Sequence, residues 1–360
     1  MASLRTAVIG ATGVVGQQFL VALSGHPWFA IEGLVASARS AGKPYREAVR
    51  DAAGALRWHV AEPPPAEVLE LPVLALDDFD PADYDLIFSA VESDLAKEIE
   101  PRFGAVRPVV TTASTFRSYD DTPLVIPGVN NDHLHLVRRQ QAARGWKGFV
   151  VPQPNCTTTG LAITLKPLFD HFGIRSVLMT SLQALSGAGR SPGVIGLDIL
   201  DNVIPYIPNE EEKVERETRK ILGRVTVDGI EPAPFTVSCT CTRVNVLDGH
   251  TEAVYVSLDR PASLTEVKAA LDEYDGGFGE LRLPSAPPQY IVVHNDPFRP
   301  QPRLDRETNA GMTTVVGRLR ADPALENGVK YVLVSHNTKM GAARGAVLTA
   351  ELLFCYGLLG

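Results

Sequence analysis

The chain has 360 residues, of which 45% are hydrophobic and 21% are charged, a globular composition with enough length for two domains. It carries 34 basic and 42 acidic residues, and the resulting net charge of −8 excludes a general affinity for nucleic acid or for anionic membranes. A local basic pocket for a small anion is still compatible with this charge.

The chain contains no run of about 18 apolar residues, so we expect no membrane-spanning segment. It begins MASLRTAVIG, which enters a strand-like segment at once, without a charged leader and a cleavage site. Its four cysteines are too few and too unevenly spaced for a disulfide framework, and this favours a reducing compartment. We therefore expect a cytoplasmic protein.

Strand-like and helix-like segments alternate over the first 150 residues. RTAVIG predicts a first strand, and VVGQQFLVALSG predicts a helix because Val15, Phe19 and Leu23 repeat at helical spacing before Gly25. IEGLVAS, YDLIFSAV and RPVVTTAS predict further strands, with ESDLAKEIEPRF as a helix between the last two. This alternation predicts a parallel, doubly wound sheet and a Rossmann-like dinucleotide-binding domain over residues 1–155.

Strands predominate after residue 176. The predicted strands are SVLMTSLQAL, FTVSCTCTRVNV, EAVYVSLD, QYIVVHN, TTVVGRLRAD and VKYVLVSHN. Turns such as LDGH and RADPALENG separate many of them, which favours a large mixed, mostly antiparallel sheet with helices on one face. We expect an α/β chain whose second, α+β domain covers residues 156–337, with a last helix at about 338–360 that returns to the first domain.

Three glycines in VIGATGVVG connect the first predicted strand to the first predicted helix. They allow a tight turn and let a pyrophosphate approach the free N–H groups of a helix N-terminus. A glycine motif alone also fits a structural turn, but its place directly after the first strand favours a dinucleotide site. The predicted cofactor contacts of this loop and of the YDLIFSAV strand end are Gly10, Thr12, Gly13, Val14, Val15, Ser89 and Ala90.

The position that reads the cofactor ribose lies roughly twenty residues beyond the glycine loop. An NAD protein has an acidic residue there, whereas this chain has ASARSAGK, with Ser37, Arg39 and Ser40 and no carboxylate. Arginine and hydroxyl groups suit a 2′-phosphate, so the sequence favours NADP over NAD. The alternative is that Arg39 is a solvated loop residue.

Cys156 lies at or just before the start of a predicted helix in NCTTTGLAITLKPLFDHF. Helix-end N–H groups stabilise a thiolate, so we expect a lowered pKa and a nucleophile that forms acyl intermediates. An inert, buried cysteine is the alternative. Cys239 and Cys241 resemble a metal pair, but no second Cys or His pair stands at a zinc spacing, so no metal is expected.

His250 ends TRVNVLDGH, on a predicted turn between two strands, where it can act as general acid and base near neutral pH. It is one of eight histidines, so its position alone is weak evidence. Arg243 precedes it by seven residues and can bind a carboxylate in bidentate fashion. Glu210 and Lys213 share a face of the helix in PNEEEKVERETRKILG, which suits an amino acid carrying a phosphate, or is simply a solvated helix.

Motifs spread along the chain resemble the aspartate-semialdehyde dehydrogenase family, in its archaeal and fungal version. They are GATGVVG, SARSAGK, NCTTTGLA, QALSGAG, IPYIPNEEEK, TRVNVLDGH, RPQPRLD and HNTKMGAARGA, and the match runs from about residue 5 to about residue 355. The resemblance implies NADPH-dependent reduction of β-aspartyl phosphate to aspartate β-semialdehyde and phosphate, in aspartate-family amino-acid biosynthesis. It also implies that the second domain is catalytic and forms a homodimer or homotetramer.

The resemblance also implies roles for individual residues. Cys156 matches the nucleophile that forms a thioester, His250 the proton carrier and Gln183 a residue that orients the substrate. The other implied contacts are Arg243 with the substrate α-carboxylate, Glu210 near its amino group, Lys213 and Arg117 with phosphate, Asn155 with substrate, and Gly187, Gly189 and Asn337 with the nicotinamide.

Three motifs depart from the family pattern. Thr112 replaces an asparagine expected to hold phosphate, Gly128 replaces a glutamate, and Met340 and Arg344 replace an arginine and a glycine. These changes leave open a paralogue that reduces another acyl phosphate or an acyl-CoA such as malonyl-CoA. A non-catalytic NADP-binding redox sensor is the more distant alternative, since such a protein has no use for the full set of catalytic residues.

Overall fold

The computed structural model describes residues 3–189 and 196–359. Its strands, in chain order, are β1 (Leu4–Ile9), β2 (Phe29–Val35), β3 (Val73–Leu74), β4 (Leu86–Ser89), β5 (Pro108–Thr111), β6 (Phe149–Pro152), β7 (Ile174–Gln183), β8 (Arg224–Thr226), β9 (Gly229–Glu231), β10 (Thr236–Arg243), β11 (His250–Leu258), β12 (Ile291–Val293), β13 (Thr314–Asp322) and β14 (Gly328–Ser335).

The α-helices, in chain order, are α1 (Val14–Leu23), α2 (Tyr45–Ala48), α3 (Ser93–Gly104), α4 (Leu136–Arg144), α5 (Cys156–Phe172), α6 (Gly196–Ile199), α7 (Glu210–Ile221), α8 (Leu264–Asp272), α9 (Phe278–Leu281), α10 (Pro302–Asp305) and α11 (Ala343–Cys355). Short 3-10 turns occur at Ala66–Val68, Leu76–Asp78, Pro81–Asp83, Asn131–His135, Leu185–Ala188 and Thr308–Gly311. None of the helices in the described ranges is both long and apolar enough to cross a membrane.

The first sheet confirms the predicted doubly wound architecture. Its strand order is β3-β2-β1-β4-β5-β6, and all neighbouring strands are parallel. Both faces are buried: Val8 packs on the side of α1 and α11, whereas Ala7 and Ile9 pack on the side of α3. The strand order reverses between β1 and β4, and ligands of such sheets bind at the carboxyl ends of these two strands.

The glycine loop lies directly at this reversal point. Gly10 has φ +80°, and a Cβ there would lie 2.6 Å from the carbonyl oxygen of Ala90 at the end of β4. A Cβ on Gly16 would lie 2.1 Å from the carbonyl oxygen of Gly10. The loop is therefore closed tightly against the first turn of α1, which only glycine at both positions permits.

The second sheet is mixed, as predicted, with the strand order β10-β7-β11-β14-β13-β12. The outer pairs β10–β7 and β12–β13 are parallel, and the three inner pairs are antiparallel. Helices α5, α7 and α8 pack against the sheet. Exposed and buried residues alternate along β7, where Leu178 and Leu182 remain 45% and 39% exposed, so one face is only partly covered.

Helix α5 joins the two sheets, since it begins shortly after β6 of the first sheet and packs against β7, β11 and β14 of the second. Its N-terminus therefore lies where the two sheets meet. After β14 the chain returns, and α11 packs against α1 and β5.

One local prediction was wrong. His250 does not lie on a turn but is the first residue of β11 and is fully buried. The turn ends one residue earlier, at Gly249 with φ +92°, so the strand begins immediately after it.

We expect Gly16→Ala to lower the free energy of unfolding by about 1–3 kcal/mol, because the new methyl group overlaps the Gly10 carbonyl. Urea unfolding measures this change. The matched control is Gly279→Ala in α9, where a Cβ meets no neighbour within 4 Å. Equal stabilities of the two variants would contradict the tight loop packing.

Candidate active site

A cleft of about 660 Å³ opens between the carboxyl ends of the first sheet and the edge of the second. Residues from both sheets line this cleft. A cleft between two layers of a protein is a usual place for a ligand to bind. The sequence-predicted residues that line it are Val14, Val15, Ala90, Arg117, Asn155, Cys156, Gly187, Gly189, Glu210, Lys213, Arg243 and Asn337. Gln183 and His250 lie buried behind this lining and contact residues in it.

Cys156 is the first residue of α5, and Asn155 is the N-cap. The side-chain oxygen of Asn155 accepts hydrogen bonds from the N–H groups of Thr157, at 2.9 Å, and Thr158, at 3.1 Å. This cap holds the first turn in place, so the position of the sulfur is well defined. A Cβ on Gly341 would lie 2.8 Å from the Cβ of Cys156, so only glycine fits against the sulfur-bearing residue.

The sulfur of Cys156 lies 3.1 Å from Nε2 of His250. On the other side of the ring, the backbone N–H of Ala184 donates to Nδ1 of His250 at 3.0 Å. A backbone amide can only donate, so Nδ1 accepts and the ring proton resides on Nε2, which faces the sulfur. Burial, followed by the charges of Arg243 and His336, lowers the pKa of His250 well below its ordinary value. The imidazole is therefore neutral and presents an N–H donor to the sulfur.

The predicted low pKa of Cys156 is wrong for this structure. Burial and, to a smaller extent, the carboxylate of Glu210 raise the pKa of the thiol to about 12, because Arg243, Arg117 and the Thr157 amide offset this rise only in part. The helix-end N–H groups therefore lower the pKa of the thiol by less than the loss of hydration raises it. The thiol is protonated near neutral pH, and a charged group in the cleft is needed to shift this balance.

Glu210 organises the polar wall of the cleft. Its Oε1 accepts hydrogen bonds from the side-chain amides of Asn155, at 2.9 Å, and Gln183, at 3.2 Å. The amide nitrogen of Asn155 therefore points at Glu210, which leaves its oxygen to cap α5. Arg243 donates from Nη1 to the carbonyl oxygen of Ala184 at 2.8 Å, which anchors the guanidinium on the residue that follows β7.

Within residues 3–189 and 196–359, three cations line the cleft: Arg117, Lys213 and Arg243. Arg117 is buried, with 8% of its surface exposed, and donates from Nη2 to the carbonyl oxygen of Thr112 at 3.0 Å. Its Nε is buried and has no hydrogen-bond partner among the described residues. These cations and the buried carboxylate of Glu210 create a pocket suited to a small molecule with two anionic groups and one ammonium group.

The glycine loop has the features of a pyrophosphate site. Gly13 is the N-cap of α1, and no side chain among the described residues caps this helix, so its first N–H groups are left for a ligand. Gly10 and Ala11 donate their N–H groups to the carbonyl oxygen of Val35, at 2.8 and 3.1 Å. The loop is thereby tied to the end of β2. A dinucleotide fits this arrangement because the open helix end lies at the reversal point of the sheet.

The remaining predicted cofactor residues surround this loop. Thr12 lies within it, and Ser89 is the last residue of β4 and is buried. Ser37 and Arg39 are exposed in the turn after β2, whereas Ser40 is buried there and donates its N–H to the carbonyl oxygen of Ser37. These three residues do not line the main cleft.

Asn337 connects the segment that follows β7 to the residue that precedes β11. Its Oδ1 accepts from the N–H of Gly249 at 2.8 Å, and its Nδ2 donates to Oγ of Ser186 at 2.8 Å. Ser186 lies beside Gly187, where a Cβ would lie 3.0 Å from Arg243 Nη1 and 3.1 Å from His250 Cε1. A side chain at position 187 would therefore press on both the histidine and the arginine.

The sequence did not predict some residues that are candidates for a functional role. Ser93 opens α3 directly after β4, lines the cleft and lies 2.9 Å from Ser114, Oγ to Oγ. The helix start at the reversal point of the sheet was a usable signal for it. Gly341 was not recognised because its role depends on contact with a distant residue. Glu217 follows Glu210 by seven residues, and helical spacing places both on one face.

The residues that depart from the family pattern lie in different parts of the structure. Thr112 lines the cleft, and its hydroxyl donates to the carbonyl oxygen of Ser89 at 3.4 Å. Gly128 has φ +86°, and a Cβ there would lie 2.9 Å from the ring of Phe278, so a glutamate would be strained. Met340 is fully buried, and Arg344 forms an ion pair with Glu62, 3.5 Å from Nη2 to Oε1.

Within the described ranges, no three His, Cys, Asp or Glu side chains come close enough together to hold a metal ion. All four cysteines are free thiols, and Cys239 and Cys241 lie on one strand of the second sheet.

Comparisons with known proteins agree with this architecture. Residues 5–137 match the model of the semialdehyde dehydrogenase NAD-binding domain, and residues 165–340 match that of its dimerisation domain. The aspartate-semialdehyde dehydrogenase of Methanothermobacter thermautotrophicus is 45% identical over 97% of this chain and 99% of its own length. The chain belongs to the aspartate-semialdehyde dehydrogenase family.

Two further relatives extend this assignment. The aspartate-semialdehyde dehydrogenase of Archaeoglobus fulgidus is 47% identical and covers 96% of each chain. A crystal structure of the Candida albicans aspartate-semialdehyde dehydrogenase with NADP superimposes with a TM-score of 0.87 at 40% identity, covering 99% of this chain and 100% of the other. The predicted archaeal and fungal branch of the aspartate-semialdehyde dehydrogenase family is thus confirmed.

We expect the rate of Cys156 alkylation by iodoacetamide to rise about tenfold per pH unit between about pH 6 and about pH 9, because only the thiolate reacts and burial holds its pKa above this range. The rate is measured in a Cys355→Ser background, since Cys355 is exposed. A plateau near neutral pH would show that the thiolate already predominates there. Cys156→Ser in the same background provides the blank.

Proposed function

We propose that the protein reduces β-aspartyl phosphate to aspartate β-semialdehyde and phosphate with NADPH, through a thioester on Cys156. The observation that carries this proposal is the 3.1 Å contact between the Cys156 sulfur and His250 Nε2, in a cleft that also holds Arg117, Lys213 and Arg243. A thiol at a helix N-terminus, a proton donor and three cations are the groups that acyl transfer from a phosphate requires.

The first step is attack by the sulfur on the acyl carbon. The C–S bond forms as the S–H bond breaks, the bond between the acyl carbon and the phosphate oxygen breaks, and phosphate leaves with the proton of the thiol. We assign Arg117 and Lys213, which line the cleft, to neutralise the departing phosphate. Arg243 and Arg117 also lower the pKa of the thiol in part, which favours loss of its proton.

NADPH, when bound, supplies the hydride that reduces the thioester carbonyl. Val14, Val15 and Ala90 of the cofactor wall and Cys156 line the same cleft, which supports a position for the dinucleotide beside the acyl group. His250 donates a hydrogen bond from its Nε2–H to the carbonyl oxygen as negative charge develops there, which stabilises the oxyanion of the thiohemiacetal. The oxyanion re-forms the C=O bond, the C–S bond breaks, the aldehyde is released, and the sulfur leaves as a thiolate that takes a proton from solvent.

The substrate is oriented by groups on either side of the sulfur. We assign the α-carboxylate to Arg243 and the ammonium group to Glu210, because these side chains have the opposite charges to the two groups on the α-carbon of the substrate. Gln183 and Asn155 hold Glu210 through their amides, 3.2 and 2.9 Å from Oε1, and so fix the carboxylate that selects an amino acid.

The alternative substrates are less well matched. Malonyl-CoA has no ammonium group, so Glu210 would be left buried without a cationic partner. A redox sensor needs neither the Arg243 guanidinium nor a histidine donor aimed at the sulfur. The replacement of the expected asparagine by Thr112 concerns the phosphate side of the cleft and leaves these groups unchanged.

We further propose that residues 1–155 form the NADP-binding domain, with about 338–360 returning to it, and that residues 156–337 form the catalytic and dimerisation domain. The partly uncovered face of β7 supports a homodimer or homotetramer, since Leu178 and Leu182 leave apolar surface exposed there. Four free thiols support a cytoplasmic location.

We expect phosphate-dependent reduction of NADP⁺ with aspartate semialdehyde to exceed the rate with other short aldehydes, and Cys156→Ala to abolish it while NADPH binding is retained. The reverse reaction is followed by absorbance of NADPH, and binding by its fluorescence. Activity of Cys156→Ala near that of the parent would contradict a thioester intermediate on Cys156. A parent that prefers another aldehyde would instead identify a paralogous acyl reductase.

We expect Arg39→Glu to shift the cofactor preference from NADP towards NAD, because the 2′-phosphate is repelled by a carboxylate at the turn after β2. The ratio of kcat/KM for the two cofactors is the measurement. Arg46→Glu is the control, since Arg46 is an exposed arginine nearby in α2. An unchanged ratio of kcat/KM for the two cofactors would show that Arg39 does not recognise the 2′-phosphate.

A further inference from the structure

We propose that Glu217 of α7 is a positioning residue that joins the nucleophile to the phosphate-binding arginine. This inference rests on the proposed function, in which Arg117 binds phosphate and Cys156 attacks. Glu217 does not line the cleft, and it acts through the two groups that it holds.

Both oxygens of the Glu217 carboxylate are engaged. Oε1 accepts from Nη1 of Arg117 at 3.3 Å, and Oε2 accepts from the backbone N–H of Asn155 at 2.7 Å. Only 1% of the Glu217 surface is exposed. A buried carboxylate is stable only when its oxygens are paired, and here one group pairs with two parts of the reaction centre.

The two partners come from distant parts of the chain. Arg117 lies in the loop after β5 of the first sheet, and Asn155 caps the helix that carries Cys156. A single rigid carboxylate between them sets the separation of the attacking sulfur from the departing phosphate. Such separations matter because small displacements of reacting groups reduce the rate strongly.

The neighbouring turn of α7 holds the same arginine by its main chain. Nζ of Lys220 donates to the carbonyl oxygens of Arg117, at 3.0 Å, and Tyr119, at 2.7 Å. Glu210, Lys213, Glu217 and Lys220 are spaced by three, four and three residues, so they lie on one face of the helix. One face of α7 therefore carries two cleft residues and also fixes the side chain and the backbone of Arg117.

A purely structural role predicts a different result from a positioning role. Loss of a structural contact lowers stability and cofactor binding together. Loss of a positioning contact changes the response to phosphate, because Arg117 is the group that Glu217 orients.

The test is Glu217→Gln, which keeps the size of the side chain but places an N–H₂ group opposite one of the two donors. We expect KM for phosphate to rise about tenfold, as for loss of a charge-assisted hydrogen bond, with kcat reduced and KM for NADP⁺ within about twofold of the parent. Glu212→Gln, on the exposed face of the same helix, is the matched control and should leave all three unchanged.

Glu217→Asp provides a second variant if the glutamine variant does not fold. It keeps the charge but shortens the reach by one methylene, so KM for phosphate should again rise while NADPH binding is retained. An unchanged KM for phosphate in a folded variant, or an equal loss of NADPH binding, would overturn the positioning role. A parent enzyme without phosphate-dependent activity would instead overturn the proposed function itself.

Discussion

The capped start of α5 is the constraint on which the rest of the structure depends. Asn155 caps the helix through its oxygen, Glu210 fixes the orientation of that amide, and the sulfur of the next residue lies 3.1 Å from the imidazole of His250. The helix leaves the first sheet at β6 and packs against the second sheet. The reactive group is thus placed at the junction of the two sheets, where the proposed function requires a dinucleotide and an amino-acid substrate to meet.

The burial that defines this junction also determines its electrostatics. The same loss of water that raises the pKa of Cys156 lowers that of His250, so both groups are neutral before a charged ligand enters. Arg117, Lys213 and Arg243 then carry the positive charge of the cleft.

Helix α7 shows how one element can combine binding and support. Its first turn presents a carboxylate and an ammonium to the cleft, while two turns later a buried carboxylate and a buried lysine hold the loop that carries Arg117. The departures from the family pattern are compatible with this arrangement. Gly128 and Met340 are packing positions, whereas Thr112 lines the cleft beside Arg117.

The sequence by itself determined the fold class, the glycine loop and the family. The alternation of strand-like and helix-like segments, the glycines after the first strand and the family motifs are all local patterns of residues. The motif around Cys156 likewise predicted a helix start, which the Asn155 cap supplies. Only the tertiary structure decided the rest. It brought His250 and Gly341 to the sulfur and set which ring nitrogen faces it. It also reversed the expected pKa of the thiol, since burial and distant charges depend on contacts between residues far apart in the chain.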